Sequence, residues 1–204
     1  MPQTSQGVRG ILSNPFIYSF FQLLMGAHKL RQNFVETLVK PFEGMKVLDV
    51  GCGPADILAY FPTVEYWGFD ISKAYINQAQ SRFCNRGRFQ CKQLQHTDLP
   101  KLPAYDVVLA LGLLHHLDDS VAIEIMQIAS NALKEGGRLL TIDPCLDPSQ
   151  NRIARFLVCK DRGRNVRDKD GYESLAKTVF ESPRIEVRQQ KWIPYTHCFI
   201  ECRK

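Results

Sequence analysis

The 204-residue chain contains no long hydrophobic run. The longest, Val107 to Leu114, falls far short of the about 20 apolar residues that a membrane-spanning helix needs, so no transmembrane segment is expected. The seven cysteines are odd in number, scattered and without a Cys-x-x-Cys pair, which argues against a disulfide framework and for a reducing, cytoplasmic setting. His197, Cys198 and Cys202 come nearest to a metal cluster but lack a fourth ligand, so no metal is expected. There is no Gly-Lys-Ser/Thr, which excludes a P-loop. Charge of one sign is scarce too, with 26 Lys plus Arg against 21 Asp plus Glu and a net +5. Repeats and low-complexity tracts are absent, so disordered, collagenous and coiled-coil architectures are excluded.

What is present is the make-up of one globular domain: 45% hydrophobic and 23% charged residues in a chain long enough to bury a core without staples. The positive excess lies in residues 151–204, which carry 13 basic and 7 acidic side chains. Solvated charge explains such an excess, but so does a field that draws an anionic substrate or a peripheral membrane contact. No arginine-rich arm accompanies it, so it is a poor nucleic-acid footprint.

Residues Ile11 to Ala27 are apolar enough to suggest a signal peptide, but Asn14-Pro15 and Gln22 interrupt them and only Arg9 precedes them. They are taken as part of the mature protein. Phe16, Phe20, Leu23, Leu24, Ala27, Leu30, Phe34 and Leu38 recur at steps of three and four, which predicts one or two helices between Asn14-Pro15 and Pro41. This N-terminal helical cap either packs on the rim of the following domain or forms a lid.

From Met45 onward, short apolar runs alternate with helical stretches. Met45–Val50, Tyr66–Asp70, Phe89–Lys92, Asp106–Leu111 and Arg138–Asp143 are predicted as strands, and Ala55–Phe61, Lys73–Arg86 and Val121–Leu133 as helices. Such alternation implies a parallel sheet covered on both faces. After Asp143 the rhythm changes: Ser149–Lys160 and Tyr172–Phe180 are predicted helical, then Arg184–Trp192 and Tyr195–Cys202 form a hairpin through Pro194.

Strand one runs into Val47-Leu48-Asp49-Val50-Gly51-Cys52-Gly53-Pro54-Ala55, where glycines permit a tight turn and close approach of a ligand to backbone. A dinucleotide fingerprint needs a glycine or alanine where Asp56 stands, and a carboxylate there repels a pyrophosphate. Asp49 suits a ligand carrying positive charge. Strand two ends in Gly68-Phe69-Asp70, whose carboxylate can accept both hydroxyls of a ribose. Thr97-Asp98-Leu99-Pro100 places a third acid after strand three. Three acids at the carboxyl ends of three strands are more than helix capping requires.

Together with Tyr105–Asp118 and Leu133–Asp143, these segments resemble the successive motifs of class I S-adenosylmethionine-dependent methyltransferases over about residues 40–145. The resemblance implies a Rossmann-like, doubly wound seven-stranded sheet with an antiparallel C-terminal hairpin edge. It divides the chain into a cap at 1–40 and a cofactor-binding domain at 41–204, with a substrate-contacting insert at about 144–182. S-adenosylmethionine is the implied cofactor: Asp49, Gly51 and Gly53 at its methionine and ribose part, Asp70 at the ribose hydroxyls, Asp98 and the Leu99 amide at adenine, Leu111 and Gly112 near the sulfonium, with Cys52 and Ile71 as further cofactor-binding residues. Ala55 departs from the family, which often has a third glycine there.

Leu114-His115-His116-Leu117-Asp118 is similar to the Leu-His-His-Leu segment of small-molecule members. His115 or His116 has a pKa suited to taking a proton from an O–H or N–H acceptor, with packing as the competing role. Candidate substrate contacts are Tyr18, Arg162, Arg164, Tyr195 and His197; Arg167 joins the other two arginines as a grip for an anion, against plain solvation. DNA is not expected as a partner, because Leu111-Gly112-Leu113-Leu114 stands where amino-group DNA methyltransferases have a Pro-Pro-aromatic tetrad, and Cys145 reads as structural. The expected function is methylation of a small molecule at oxygen or nitrogen. Its competitors are a non-catalytic protein that binds S-adenosylmethionine or S-adenosylhomocysteine and a related transferase, such as an aminopropyl transferase, for which Asp118 and Asp119 are the local acids.

Overall fold

The computed structural model describes residues 27–160, 163–189 and 195–204. Strands β1 (Lys46–Val50), β2 (Glu65–Asp70), β3 (Gly87–Cys91), β4 (Tyr105–Leu111), β5 (Leu133–Leu146), β7 (Arg184–Gln189) and β8 (Thr196–Arg203) form one sheet in the order β3-β2-β1-β4-β5-β8-β7. A two-residue β6 (Arg167–Asp168) adds to the end of β5, pairing with Cys145 and Leu146. All neighbours along β3 to β5 run parallel, and β8 runs antiparallel to both β5 and β7. The expected antiparallel edge is therefore present, with β8 inserted between β5 and β7 and β7 at the edge, while the expected connection through Pro194 lies outside the described residues.

Burial explains this order. In β1, Val47, Leu48, Asp49 and Val50 are all buried, as a central parallel strand covered on both faces must be. Alternation divides the side chains between two cores. Leu48, Val50, Val108, Ala110, Leu139, Cys198 and Ile200 meet helices α3 (Asp119–Ala132) and α5 (Lys169–Lys177) on one face. On the other, Val47, Val107, Leu109, Leu140 and Phe199 meet α1 (Ala27–Phe34), the π-helical turn Val35–Val39 that continues it, and α2 (Lys73–Phe83). Phe34, Val35 and Val39 of that N-terminal segment are core residues. Arg138 of β5 locks it by donating to the carbonyls of Leu38 (2.8 Å) and Val39 (2.7 Å), which the helix end leaves unpaired.

Between β1 and β2 the predicted helix is a five-residue 3₁₀ turn, Asp56–Tyr60. Pro62 explains its shortness, since the residue before a proline avoids the helical region, and Phe61 is extended at φ −84 and ψ 143. β5 is longer than predicted because it begins at Leu133, directly after α3. A fifth helix, α4 (Arg152–Cys159), follows β5, with Asn151 accepting from the Ala154 amide at 2.8 Å. The strand order reverses between β1 and β4, so the crevice outside their carboxyl ends is the expected ligand site of such a sheet.

Candidate active site

The turn after β1 needs its glycines. Gly51 and Gly53 have φ of +71 and +54, and a Cβ on Gly51 would come within 2.9 Å of a Leu113 methyl. A Cβ on Gly53 would meet nothing within 4 Å, so there is open space beside that residue. Ala55, in place of a third glycine, also holds a left-handed conformation (φ 55) at a cost of about 1 kcal/mol. The Gly51 and Cys52 amides donate to the Phe69 carbonyl at 2.8 and 3.0 Å, and the Gly53 amide donates to Asp70 Oδ2 at 2.9 Å. The other Asp70 oxygen accepts from the Ser72 amide at 2.7 Å, so one carboxylate fixes both turns. Cys52 turns its thiol onto Gly68, where a Cβ would lie 2.8 Å from the sulfur; its backbone is what fronts the turn.

Asp49 stands in β1, two residues before Gly51. It is 2% exposed, and the Tyr66 hydroxyl donates to Oδ2, while Oδ1 is buried without a hydrogen-bond partner. Burial is the main reason its carboxyl is pushed up to about 7; the Tyr66 hydrogen bond opposes the rise and the charge of Asp70 adds to it. A buried acceptor left open is costly unless something binds it. An ammonium or sulfonium group offers that partner, and with it the counter-charge.

Farther along the crevice, Ile71 is 78% exposed beside Asp70, an apolar surface available to a flat ring. Asp98 caps its own 3₁₀ turn by accepting from the Gln95 amide at 3.1 Å and pairs with Lys92, which lowers its pKa. Part of the acceptor capacity expected for adenine is thus already used. Leu99 and Leu111 are half-buried. Gly112 ends β4 at φ +65, its amide donating to the Ile142 carbonyl at 2.7 Å.

The two histidines differ sharply. His115 is 5% exposed, and its Nδ1 lies 2.8 Å from Asp143 Oδ1, which also accepts the His115 backbone amide at 3.1 Å. Burial raises the pKa of Asp143, and the His115 hydrogen bond opposes that rise. A Cβ on Gly112 would lie 3.8 Å from His115 Cε1, and one on Gly163 only 2.1 Å from Cδ2. The ring therefore packs against Gly163 and lies near Gly112. His116 is exposed and its ring centre is 4.0 Å from that of His115.

The segment around Gly163 is strapped in place. The Asn165 amide donates to the His115 carbonyl at 3.0 Å. Arg167, with an 11% exposed side chain, donates to the carbonyls of Leu114 (3.0 Å), Asn165 (3.0 Å) and Leu117 (2.8 Å), and pairs with Asp119 at 2.6 Å. This corrects the anion-gripping role expected of Arg167, whose donors serve the histidine turn. Arg164 is exposed. Tyr195, His197 and Phe199 share one face of the last strand, with rings 5.0 and 6.4 Å apart, and Cys198 faces the opposite core. Tyr18 and Arg162 lie outside the described residues.

Sequence reasoning assigned no role to Asp143, Tyr66 or Gly163. For Asp143 a signal existed: an acid at the carboxyl end of strand five, like those of strands one and two. Tyr66 acts through a hydrogen bond across to β1 and Gly163 through close packing, neither of which spacing encodes.

Residues 48–139 match the family model of a methyltransferase domain. The matched segment holds the glycine turn, Asp70, Asp98 and both histidines. The ubiquinone biosynthesis O-methyltransferase of Leptothrix cholodnii is 30% identical over 125 residues, 58% of this chain and 52% of that protein. The ubiquinone/menaquinone biosynthesis C-methyltransferase of Pasteurella multocida is 27% identical over 188 residues, 84% of this chain and 69% of that protein. The chain spans about half the length of the relatives that it matches over the shorter stretch. A S-adenosylmethionine-dependent methyltransferase structure from Archaeoglobus fulgidus superposes with a TM-score of 0.71 at 16% identity, covering 92% of this chain and 99% of that one. The fold is the Rossmann-like fold of these methyltransferases.

Proposed function

We propose that the protein transfers a methyl group from S-adenosylmethionine to a small-molecule acceptor whose nucleophile, oxygen or nitrogen, must shed a proton. The observation that carries this reading is Asp49 Oδ1, a buried oxygen with no hydrogen-bond partner, two residues before the glycine turn. It fits the ammonium end of the cofactor, Asp70 fits the ribose, and the exposed Ile71 fits the adenine face. The match to the methyltransferase domain supports the same cofactor.

Bound S-adenosylmethionine supplies an activated methyl on a sulfonium, which leaves by in-line displacement. The chain's own task is alignment and proton removal. A His115 proton held on Nδ1 by Asp143 makes Nε2 the ring nitrogen that would take the proton of the acceptor. That geometry suits a general base beside the carboxyl end of β4. The structure weighs against aminopropyl transfer, because Asp118 is spent capping α3 and Asp119 pairs with Arg167.

The test uses methyl-labelled S-adenosylmethionine against a panel of phenols, hydroxy acids and amines, with the parent protein, His115→Asn and Asp143→Asn. We expect labelled product from the parent, and about 100-fold less from His115→Asn, with S-adenosylhomocysteine binding retained. Transfer unaffected in both variants would remove His115 as the base. No binding of S-adenosylhomocysteine by folded parent protein would remove the cofactor itself.

A further inference from the structure

Helix α4 presents to solvent a face that neither core explains. Its inner side is buried through Ala154 and Val158, but Ile153 and Phe156 are 64% and 60% exposed. With 3.6 residues per turn, the helical neighbours of Phe156 are Arg152, Ile153, Cys159 and Lys160, all exposed. Arg155 borders the same face and is exposed as well. Lys160 extends over the Phe156 ring, its Nζ 5.9 Å from the centroid. The charged residues of the helix and its C-cap, Arg152, Arg155 and Lys160, are all basic, and no acid lies within residues 149–160.

We propose that this face of α4 docks the protein on an anionic lipid surface. An aromatic and a branched aliphatic side chain ringed by cations is the pattern of a helix lying in the headgroup layer, apolar groups inward and ammonium or guanidinium groups at the phosphates. A protein partner is disfavoured by the single sign of charge around so small an apolar centre. The surrounding chain reinforces the sign, since residues 151–204 carry 13 basic and 7 acidic side chains. Position gives the contact a use. α4 follows the carboxyl end of β5, and three residues beyond Lys160 the backbone of Gly163 lies against the His115 ring. Docking through α4 sets that end of the sheet beside the membrane, where an apolar acceptor dissolved in lipid can reach it.

Sedimentation of the full chain with vesicles tests the proposal without relying on any methyl transfer or cofactor binding. Vesicles of phosphatidylcholine alone are compared with vesicles containing about 30% phosphatidylglycerol; each basic contact to an anionic surface strengthens binding roughly fivefold. We expect binding to the anionic vesicles only, weakened as salt rises from about 0.1 M to about 1 M. Arg152→Glu with Arg155→Glu, and separately Ile153→Ser with Phe156→Ser, are expected to reduce it at least about tenfold with the melting temperature unchanged. The proposal is overturned if anionic vesicles bind no better than neutral ones, or if both double variants bind as the parent does. A dimer in size-exclusion chromatography that Phe156→Ser dissolves would assign the face to a second copy of the chain instead.

Discussion

Asp49 is a buried carboxyl whose proton affinity burial has raised. Its folded pKa of about 7 lies above the 3.8 of a free aspartate, so between those values the native state holds a proton that the unfolded chain has lost. Ligand-free stability should therefore fall as pH rises from about 4 to about 7 and level off above it. A cationic ligand reverses the preference by binding the ionised form. Affinity for S-adenosylhomocysteine is expected to rise with pH up to about 7, by up to about tenfold per unit, with proton uptake or release read from calorimetry in buffers of different ionisation enthalpy. Asp49→Asn should flatten that dependence. An unchanged slope in the variant would mean that another group sets it.

At the scale of elements, the strap formed by Gly163, Asn165 and Arg167 holds the histidine turn against β5. Replacing Arg167 by Met leaves the Leu114, Leu117 and Asn165 carbonyls without their donor, while the 74% exposed Asp119 rehydrates cheaply. A loss of about 2 kcal/mol is expected, a fall in melting temperature of about 4–8 °C, and a drop in kcat larger than the rise in KM once an acceptor is known. Thermal denaturation checks the first part, and an unaltered melting curve would show the strap to be incidental. The same elements mark how far the sequence could be read. β1, β2 and β4 announced themselves through apolar runs ending in turn residues, and Asp49, Gly51 and Asp70 stood at their ends. β6 and the role of Arg167 were hidden because two paired residues and a set of long-range carbonyl contacts leave no periodicity. The turn at Asp56–Tyr60 was overread as a helix, although Pro62 was visible.

For the whole molecule, the order β3-β2-β1-β4-β5-β8-β7 brings the carboxyl ends of β1, β2 and β4 to one crevice, and beyond β5 the Asn165 amide donates to the His115 carbonyl. The parallel half of this order follows from strand and helix alternation; the insertion of β8 between β5 and β7 is a tertiary choice that a hairpin pattern leaves open. The cores are built without disulfides: Cys52, Cys145, Cys198 and Cys202 are buried as free thiols, and Cys84, Cys91 and Cys159 are exposed. A thiol reagent should accordingly modify these three rapidly in the native state and the others only on unfolding. Fast reaction of more than three would contradict the packing. The crevice is proposed to bind S-adenosylmethionine through Asp49 and Asp70. Calorimetric titration with S-adenosylmethionine and S-adenosylhomocysteine, on the parent and on Asp70→Asn, tests it most directly. Saturable binding of both ligands to the parent, weakened at least about tenfold in the variant, is the predicted result. Absence of binding by folded parent protein, or equal affinity in Asp70→Asn, would contradict it.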